Sequence, residues 1–494
     1  MYKGFRKVAL AAALVVAAGT AAAQGETAWQ QSITRYIESQ ISNGPLKGAV
    51  VGVRAVENGK TVVAYNASTR MVPASNMKLV TTGAALRAFG PEYRFKTEIG
   101  YTGSIDKDGT LNGDVYIIGG GDPTIGAADT TAFKADALFW KWKTILSSAG
   151  IKRINGNIIG DGSAWEGGLE HPGCEYADTW TYYGTGSSAL CFYENTIDLQ
   201  VSAGAEPGAP VNMTQTYPDT PWLHLENQAV TGPAGTGNSL YLQTSDRDKD
   251  AILTGTFAVD RRPKREQASN KYGALTCAHQ FYRNLKATGW EVTGTYGTPD
   301  QAGGDGRGGD GKVGEGVVKI GHTESPALAQ ICRRTNYESD NFYAESLLRA
   351  MGEAATGIAV YDSCLVAINE VLEDIVPGTA NGIVQKDGSG LSRANAVTPE
   401  WMAGYLAAMS GNKAFVESIP RPGEGTLNTL KNLTPWKFRL KSGSMGGTLC
   451  YSGYVLDEAG NPRISFAIFT NNAAAKASEV RPALESLIQL IGKN

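Results

Sequence analysis

Apolar residues Trp29, Ile33, Tyr36, Ile37 and Ile41 recur at helical spacing, which predicts a helix over residues 26–41. The pattern then changes period. Residues 48–55 and 61–65 are short Val-rich runs on either side of Glu57-Asn58-Gly59. Asn-Gly between two such runs predicts a hairpin. Pro73 precedes a segment that turns apolar through Ala84, Ala85, Leu86, Ala88 and Phe89, and it predicts a second helix. From Phe95 onward, strand-like runs at 96–101, 114–118 and 155–161 alternate with Gly/Asp turns. Helical patterns stand at 132–149 and 275–288, and none occurs between about 165 and 259. Residues 302–316 are a Gly-rich loop or linker. Helical spacing returns at 325–334, 341–354, 361–376 and 399–409. Strands are predicted at 439–441, 450–456 and 463–471, then a closing helix at 478–491 with Pro482 in its first turn. Helices in runs followed by antiparallel strands predict an α+β fold. Residues 24–95 and 317–494 are expected to form one domain. It would be interrupted at 96–316 by one or two smaller β-rich modules, one of them around 200–260.

The first residues change the picture of where the chain works. Lys3, Arg6 and Lys7 precede a short apolar run from Val8 to Ala18, and Ala21-Ala22-Ala23 stand before Gln24. This is the pattern of a cleaved secretory signal over residues 1–23, with no lipid-accepting Cys after it. No later segment approaches the about 20 apolar residues of a membrane span. The formal charge of −3 over 494 residues and the lack of a basic tract give no reason to expect nucleic acid. Six cysteines in an exported chain permit disulfides; Cys174 with Cys191 is the first pairing expected, and Cys332 with Cys364 the second. No metal is expected. There is no Cys-x-x-Cys, His171, His224, His279 and His322 lack ligand spacing, and His-Glu-x-x-His is absent. Gly119-Gly120-Gly121 lacks the Lys-Ser/Thr of a phosphate loop.

Three short stretches carry candidate chemistry. In Ser75-Asn76-Met77-Lys78 a hydroxyl and an amine stand three residues apart at a helix start. They share one face, beside free N–H groups that favour developing negative charge. In Ser339-Asp340-Asn341 a hydroxyl and an amide head another helix. In Lys441-Ser442-Gly443-Ser444 a strand carries a cation, hydroxyls and a Gly that allows close approach. Taken singly, each has an ordinary reading: a capped helix with a surface Lys, an N-cap, a hairpin with an exposed Lys.

Together and in this order they are the triple signature of the penicillin-recognising serine acyl transferases. The long interval from Lys78 to Ser339 resembles the class C low-molecular-mass penicillin-binding proteins, the D-alanyl-D-alanine carboxypeptidase/endopeptidase group. Gly120-Gly121-Asp122-Pro123-Thr124, residues 340–347 and 387–393, and Gly425-Thr426-Leu427 resemble that group too. One departure is Ser442, where the group usually has Thr.

The resemblance implies a serine β-lactamase/transpeptidase-like domain and a periplasmic enzyme that removes terminal D-Ala from peptidoglycan stem peptides. It also implies D,D-endopeptidase action on crosslinks, and covalent inhibition by β-lactam antibiotics. Ser75 would be the nucleophile and Lys78 its base, with an amine brought from near ~10.4 toward ~7–8 by burial and the Lys441 cation. The N–H groups of Ser75 and Ser444 would form the oxyanion hole. Ser339 would pass a proton to the leaving nitrogen, and Asn341 would orient the acyl peptide and Lys78. Lys441 and Ser442 would hold the terminal carboxylate, with Gly443 between them and the turn. Asp161 is expected to hold the substrate's free amino end. No cofactor is implied. Two other readings stay open: a serine β-lactamase, for which no dedicated deacylating base is visible, and a low-turnover cell-wall scaffold.

Overall fold

The computed structural model describes residues 27–129, 132–246, 248–299 and 316–493. The leader and most of the Gly-rich 302–316 stretch fall outside them. The fold is α+β, with several separate sheets.

A five-stranded antiparallel sheet joins the two ends of the chain. Its order is Lys60–Tyr65, Val50–Glu57, Pro462–Asn471, Thr448–Leu456, Phe438–Met445. The hairpin forms at the expected place because Asn58 and Gly59 both adopt positive φ, 50° and 75°. Val53 pairs with Ile468, so strand pairing crosses nearly the whole sequence.

Both faces of this sheet are covered. Phe466 and Ile468 point into a cluster with Ile33, Ile37, Leu484 and Ile488, from the helices Ala28–Asn43 and Ala477–Ile491. The alternate residues Ala467 and Phe469 join a larger cluster on the other side. There the helices Met77–Phe89, Asn341–Thr356, Tyr361–Ile375 and Pro399–Met409 pack. Double coverage explains why the strand Thr448–Leu456 is buried at every position and shows no alternation of apolar and charged residues. Buried hydroxyls tie the layers together: Tyr454 of the sheet donates to Leu406 O (2.6 Å), and Tyr405 of one helix donates to Val80 O (3.1 Å) of another.

A second five-stranded sheet has the order Tyr296–Gly297, Ile158–Asp161, Val115–Ile118, Lys96–Tyr101, Val318–Glu324. Its last strand, Val318–Glu324, where the sequence pattern predicted no element, pairs with Lys96–Tyr101. A three-stranded sheet of Thr196–Ser202, Asn212–Tyr217 and Lys264–Ser269 adjoins smaller sheets between 224 and 258. These share a separate apolar cluster that includes Leu199, Leu253 and Phe257.

Several elements differ from expectation. The helix expected at 325–334 runs Leu328–Tyr337, because Ser325 is occupied elsewhere: its Oγ accepts from Phe95 N at 2.9 Å. The strand expected to end at Lys441 continues to Met445, since Ser444 still pairs with Leu449. The turn falls at Gly446-Gly447, where Gly447 has φ 72°.

The expected disulfides are absent. All six cysteines are free thiols. The members of each expected pair face different backbone carbonyls: Cys191 Sγ that of Asp122 and Cys174 Sγ that of Glu175, Cys332 Sγ that of Thr82 and Cys364 Sγ that of Arg349. Among the described residues no single helix is long and apolar enough to cross a membrane, and no group of side chains could hold a metal ion.

Candidate active site

The first motif sits on a strained turn. Ala74 has φ 47°, and Ala74–Asn76 form a single helical turn that leads into Met77–Phe89. This turn presents half-buried Ser75, while Lys78 points inward with no exposed surface. Lys78 Nζ donates to Ser75 Oγ (3.0 Å), Asn341 Oδ1 (2.6 Å) and Ser389 O (2.8 Å). All three of its N–H groups thus have partners. Burial lowers the Lys78 pKa to about 8, against the opposing pull of Asp387, Glu345 and Asp340.

The second motif is also strained. Ser339 has φ 59°, and Asp340 caps the helix Asn341–Thr356 by accepting from Tyr343 N at 3.1 Å. Ser339 thus lies just outside the helix, and Asn341 occupies its first position. Ser339 Oγ accepts from Lys441 Nζ at 2.9 Å, and the same Nζ reaches Ser442 O at 2.8 Å. Burial pushes Lys441 well below its ordinary pKa, and the neighbouring Lys78 charge pushes it further. Of the two causes expected for the lowered Lys78 amine, burial is the leading one, and Lys441 is not among the charges that shift it.

The third motif passes against the first. A Cβ on Gly443 would lie 2.6 Å from Asn76 Nδ2, 2.7 Å from Pro73 O and 3.0 Å from Ser75 N. Only Gly permits this approach. It brings Ser444 to the pocket wall on the edge strand of the sheet. Ser442 Oγ lies 3.2 Å from Thr426 Oγ1.

Ser75, Ser339, Asn341 and Ser444 line one pocket of about 670 Å³. Lys78, Lys441 and Gly443 lie buried directly behind them. Asp161 is not among the lining residues. It lies at the end of an interior strand, 1% exposed, with Oδ1 bonded to Ser163 Oγ (2.6 Å) and Ser163 N (3.1 Å). The expectation for Asp161 therefore fails, because its strand belongs to the core of the second sheet. The acidic wall of the pocket comes instead from Glu175, Asp178, Glu194, Glu338 and Asp340. Burial raises the Asp178 pKa, and Arg393 Nε pairs with Glu175 Oε1 at 2.7 Å.

Other contributors lie in the segments 340–347 and 387–393, where Ser389 is expected to shape the site; Tyr183 was not expected. Ser389 offers Lys78 its carbonyl, and its loop is shaped by two buried carboxylates. Asp387 accepts from Gly390 N (2.7 Å) and Ser392 N (2.6 Å). Glu345 accepts from Gly388 N (3.1 Å) and Ser389 N (2.8 Å), and burial raises its pKa to about 7. Tyr183 O accepts from Asn341 Nδ2 at 2.8 Å. A carbonyl leaves no mark in a sequence; Thr426 did, within the Gly425-Thr426-Leu427 segment.

The profile of the D-Ala-D-Ala carboxypeptidase 3 (S13) family matches residues 33–490. The chain is 28% identical over 483 residues to a D-alanyl-D-alanine carboxypeptidase of Actinomadura sp. strain R39, spanning 94% of this chain and 85% of that protein. It is 23% identical to the D-alanyl-D-alanine carboxypeptidase DacB of Haemophilus influenzae over 90% of both. Its fold resembles the crystal structure of penicillin binding protein 4 from H. influenzae, with a TM-score of 0.77 at 22% identity, over 94% of this chain and 99% of that one.

Proposed function

The chain belongs to the D-Ala-D-Ala carboxypeptidase 3 (S13) family, a family of serine-type carboxypeptidases, and from that premise we propose that it hydrolyses D-Ala-D-Ala peptides through an acyl-enzyme on Ser75. The observation that carries this reading is the Lys78 amine. It is buried, lowered to about 8, and bonded at once to Ser75 Oγ and Asn341 Oδ1.

Ser75 Oγ attacks the D-Ala-D-Ala carbonyl carbon while neutral Lys78 takes its proton. The N–H groups of Ser75 and Ser444 receive the oxyanion, at about 3–4 kcal/mol per donor. Ser339, bonded to Lys441, passes a proton to the leaving D-Ala nitrogen as the C–N bond breaks. Water then releases the peptide from Ser75. Lys441 and Ser442, the latter backed by Thr426, bind the terminal carboxylate. That carboxylate brings a negative charge beside Lys441 and so favours its charged form. Asn341 orients the acyl peptide.

Asp178 and Glu175, rather than Asp161, face the substrate's free amino end. The natural substrates are stem peptides of periplasmic peptidoglycan, including their D,D-crosslinks, and β-lactams acylate the same serine. Residues 1–23 direct export.

The test is an intact-mass time course with benzylpenicillin, beside a Ser75→Ala control. A long-lived adduct only in the unsubstituted chain supports the proposal. Rapid drug loss without an adduct would assign a β-lactamase instead.

A further inference from the structure

The wall of the pocket between residues 166 and 188 holds only two single-turn helices, Asp178–Trp180 and Tyr182–Gly184. Two buried cations bond to its backbone carbonyls. Arg349, on the helix behind the second motif, donates to Glu166 O (2.7 Å), Gly168 O (3.1 Å) and Ser187 O (2.6 Å). Lys271 approaches from the other side, two residues beyond the strand Lys264–Ser269. It is 7% exposed. Its Nζ donates to Thr179 O (2.6 Å), Gly184 O (3.3 Å) and Thr185 O (3.5 Å), and it pairs with the Glu170 carboxylate.

Between these gripped carbonyls lies Tyr183, whose own carbonyl accepts from Asn341 Nδ2 at 2.8 Å. The other end of that amide accepts from Lys78 Nζ at 2.6 Å, and Lys78 Nζ donates to Ser75 Oγ at 3.0 Å. A continuous series of contacts thus runs from Lys271, next to the small β-sheets, to the nucleophile.

We infer that Lys271 is a positioning residue for the acylation step. It fixes the Thr179–Thr185 carbonyls so that Tyr183 O orients the Asn341 amide toward Lys78. This rests on the assignment of Ser75 as nucleophile. The chemical reason lies in the amide. The two ends of an Asn side chain have nearly the same shape and opposite hydrogen-bonding character, so only its partners decide which end faces Lys78. With Tyr183 O in place, Nδ2 has an acceptor and Oδ1 is left for the ammonium. If the wall drifts, the amide can turn, and Lys78 loses the acceptor that aims it at Ser75 Oγ. Stability alone does not account for Lys271. A buried ion pair is weak evidence for stability, and the acceptors that complete the Lys271 N–H groups beside Glu170 are carbonyls on either side of Tyr183, the residue that holds the Asn341 amide.

The test is a double-mutant cycle on the full chain. The rate of Ser75 acylation by benzylpenicillin is measured for Lys271→Met and Lys271→Arg, each with Asn341 intact and in an Asn341→Ala background, with thermal unfolding recorded for each. Lys271→Met is expected to slow acylation about 10-fold when Asn341 is present and less than about 2-fold when it is absent. Lys271→Arg keeps the charge but not the reach of a single Nζ, and is expected to give a smaller loss with the same dependence on Asn341. It also serves if Lys271→Met does not fold. Equal losses in both backgrounds, or unchanged acylation, would overturn the inference. No adduct in the unsubstituted chain would instead overturn the Ser75 assignment, and the inference with it.

Discussion

Among single residues, Lys78 and Gly443 make the sharpest demands. As the proposed base, Lys78 acts only when neutral, and its folded pKa is about 8. Acylation should therefore rise with pH through about 8 and level off above it, rather than climb toward the ~10.4 of a free lysine. Rates of β-lactam acylation across neutral and alkaline buffers check this; a curve still rising steeply above pH ~9 would show that the amine is not depressed. At Gly443 even one methyl group meets the backbone of the Ala74–Asn76 turn, 3.0 Å from Ser75 N. Gly443→Ala should slow acylation by about 100-fold, the scale of a displacement near 1 Å in a catalytic geometry, and should also lower the thermal unfolding midpoint, since overpacking costs about 1–3 kcal/mol. These residues were legible in the sequence because their chemistry depends on side-chain type and spacing: a hydroxyl and an amine three apart, a Gly between donors. Asp161 shows the limit. An acidic residue beside Gly and Ser looks the same in a core strand as on a pocket rim. What places Glu175 and Asp178 on the rim is a set of bonds from Arg349 and Lys271 to backbone carbonyls, and these involve residues far away in sequence.

Elements were legible where their own pattern decides them. The helix Pro399–Met409 was expected within its observed limits, because Thr398 caps it through Trp401 N at 3.1 Å and Pro399 opens it. Loops depend on tertiary partners, and the segment Asp387–Asn395 is the clear case. It has no repetitive structure at its centre and is wrapped around the carboxylates of Asp387 and Glu345. Glu345→Ala would leave the buried N–H groups of Gly388 and Ser389 without acceptors, at about 1–3 kcal/mol each. Denaturant unfolding should show a loss of that size. Acylation should fall as well, because the same loop presents Ser389 O to Lys78. Glu345→Gln keeps one acceptor oxygen and should recover part of both.

For the whole molecule, the order of the first sheet matters most. The α+β class followed from the runs of helices and strands, and the match to a solved fold at a TM-score of 0.77 agrees with it. The pairing of Val318–Glu324 with Lys96–Tyr101 did not follow, since a strand's sequence records its burial and not its neighbour. Pro462–Asn471 lies between Val50–Glu57 and Thr448–Leu456. A chain cut before Pro462 keeps Ser75, Lys78, Ser339, Asn341 and Lys441, yet it should take up no fluorescent penicillin. Labelling in a gel checks this; a labelled truncated chain would show that the sheet assembles without its middle strand.

The same sheet sets a clock. The strand beside the N-terminal hairpin is synthesised long after it, so Ser75 waits for Pro462–Asn471 before its surroundings exist. Contacts that span so much sequence form slowly. During that wait the serine is an ordinary hydroxyl and the lysine an ordinary surface amine. Reactivity should thus wait for the assembled sheet, so that a polypeptide ending before residue 462 carries the proposed catalytic residues without their setting.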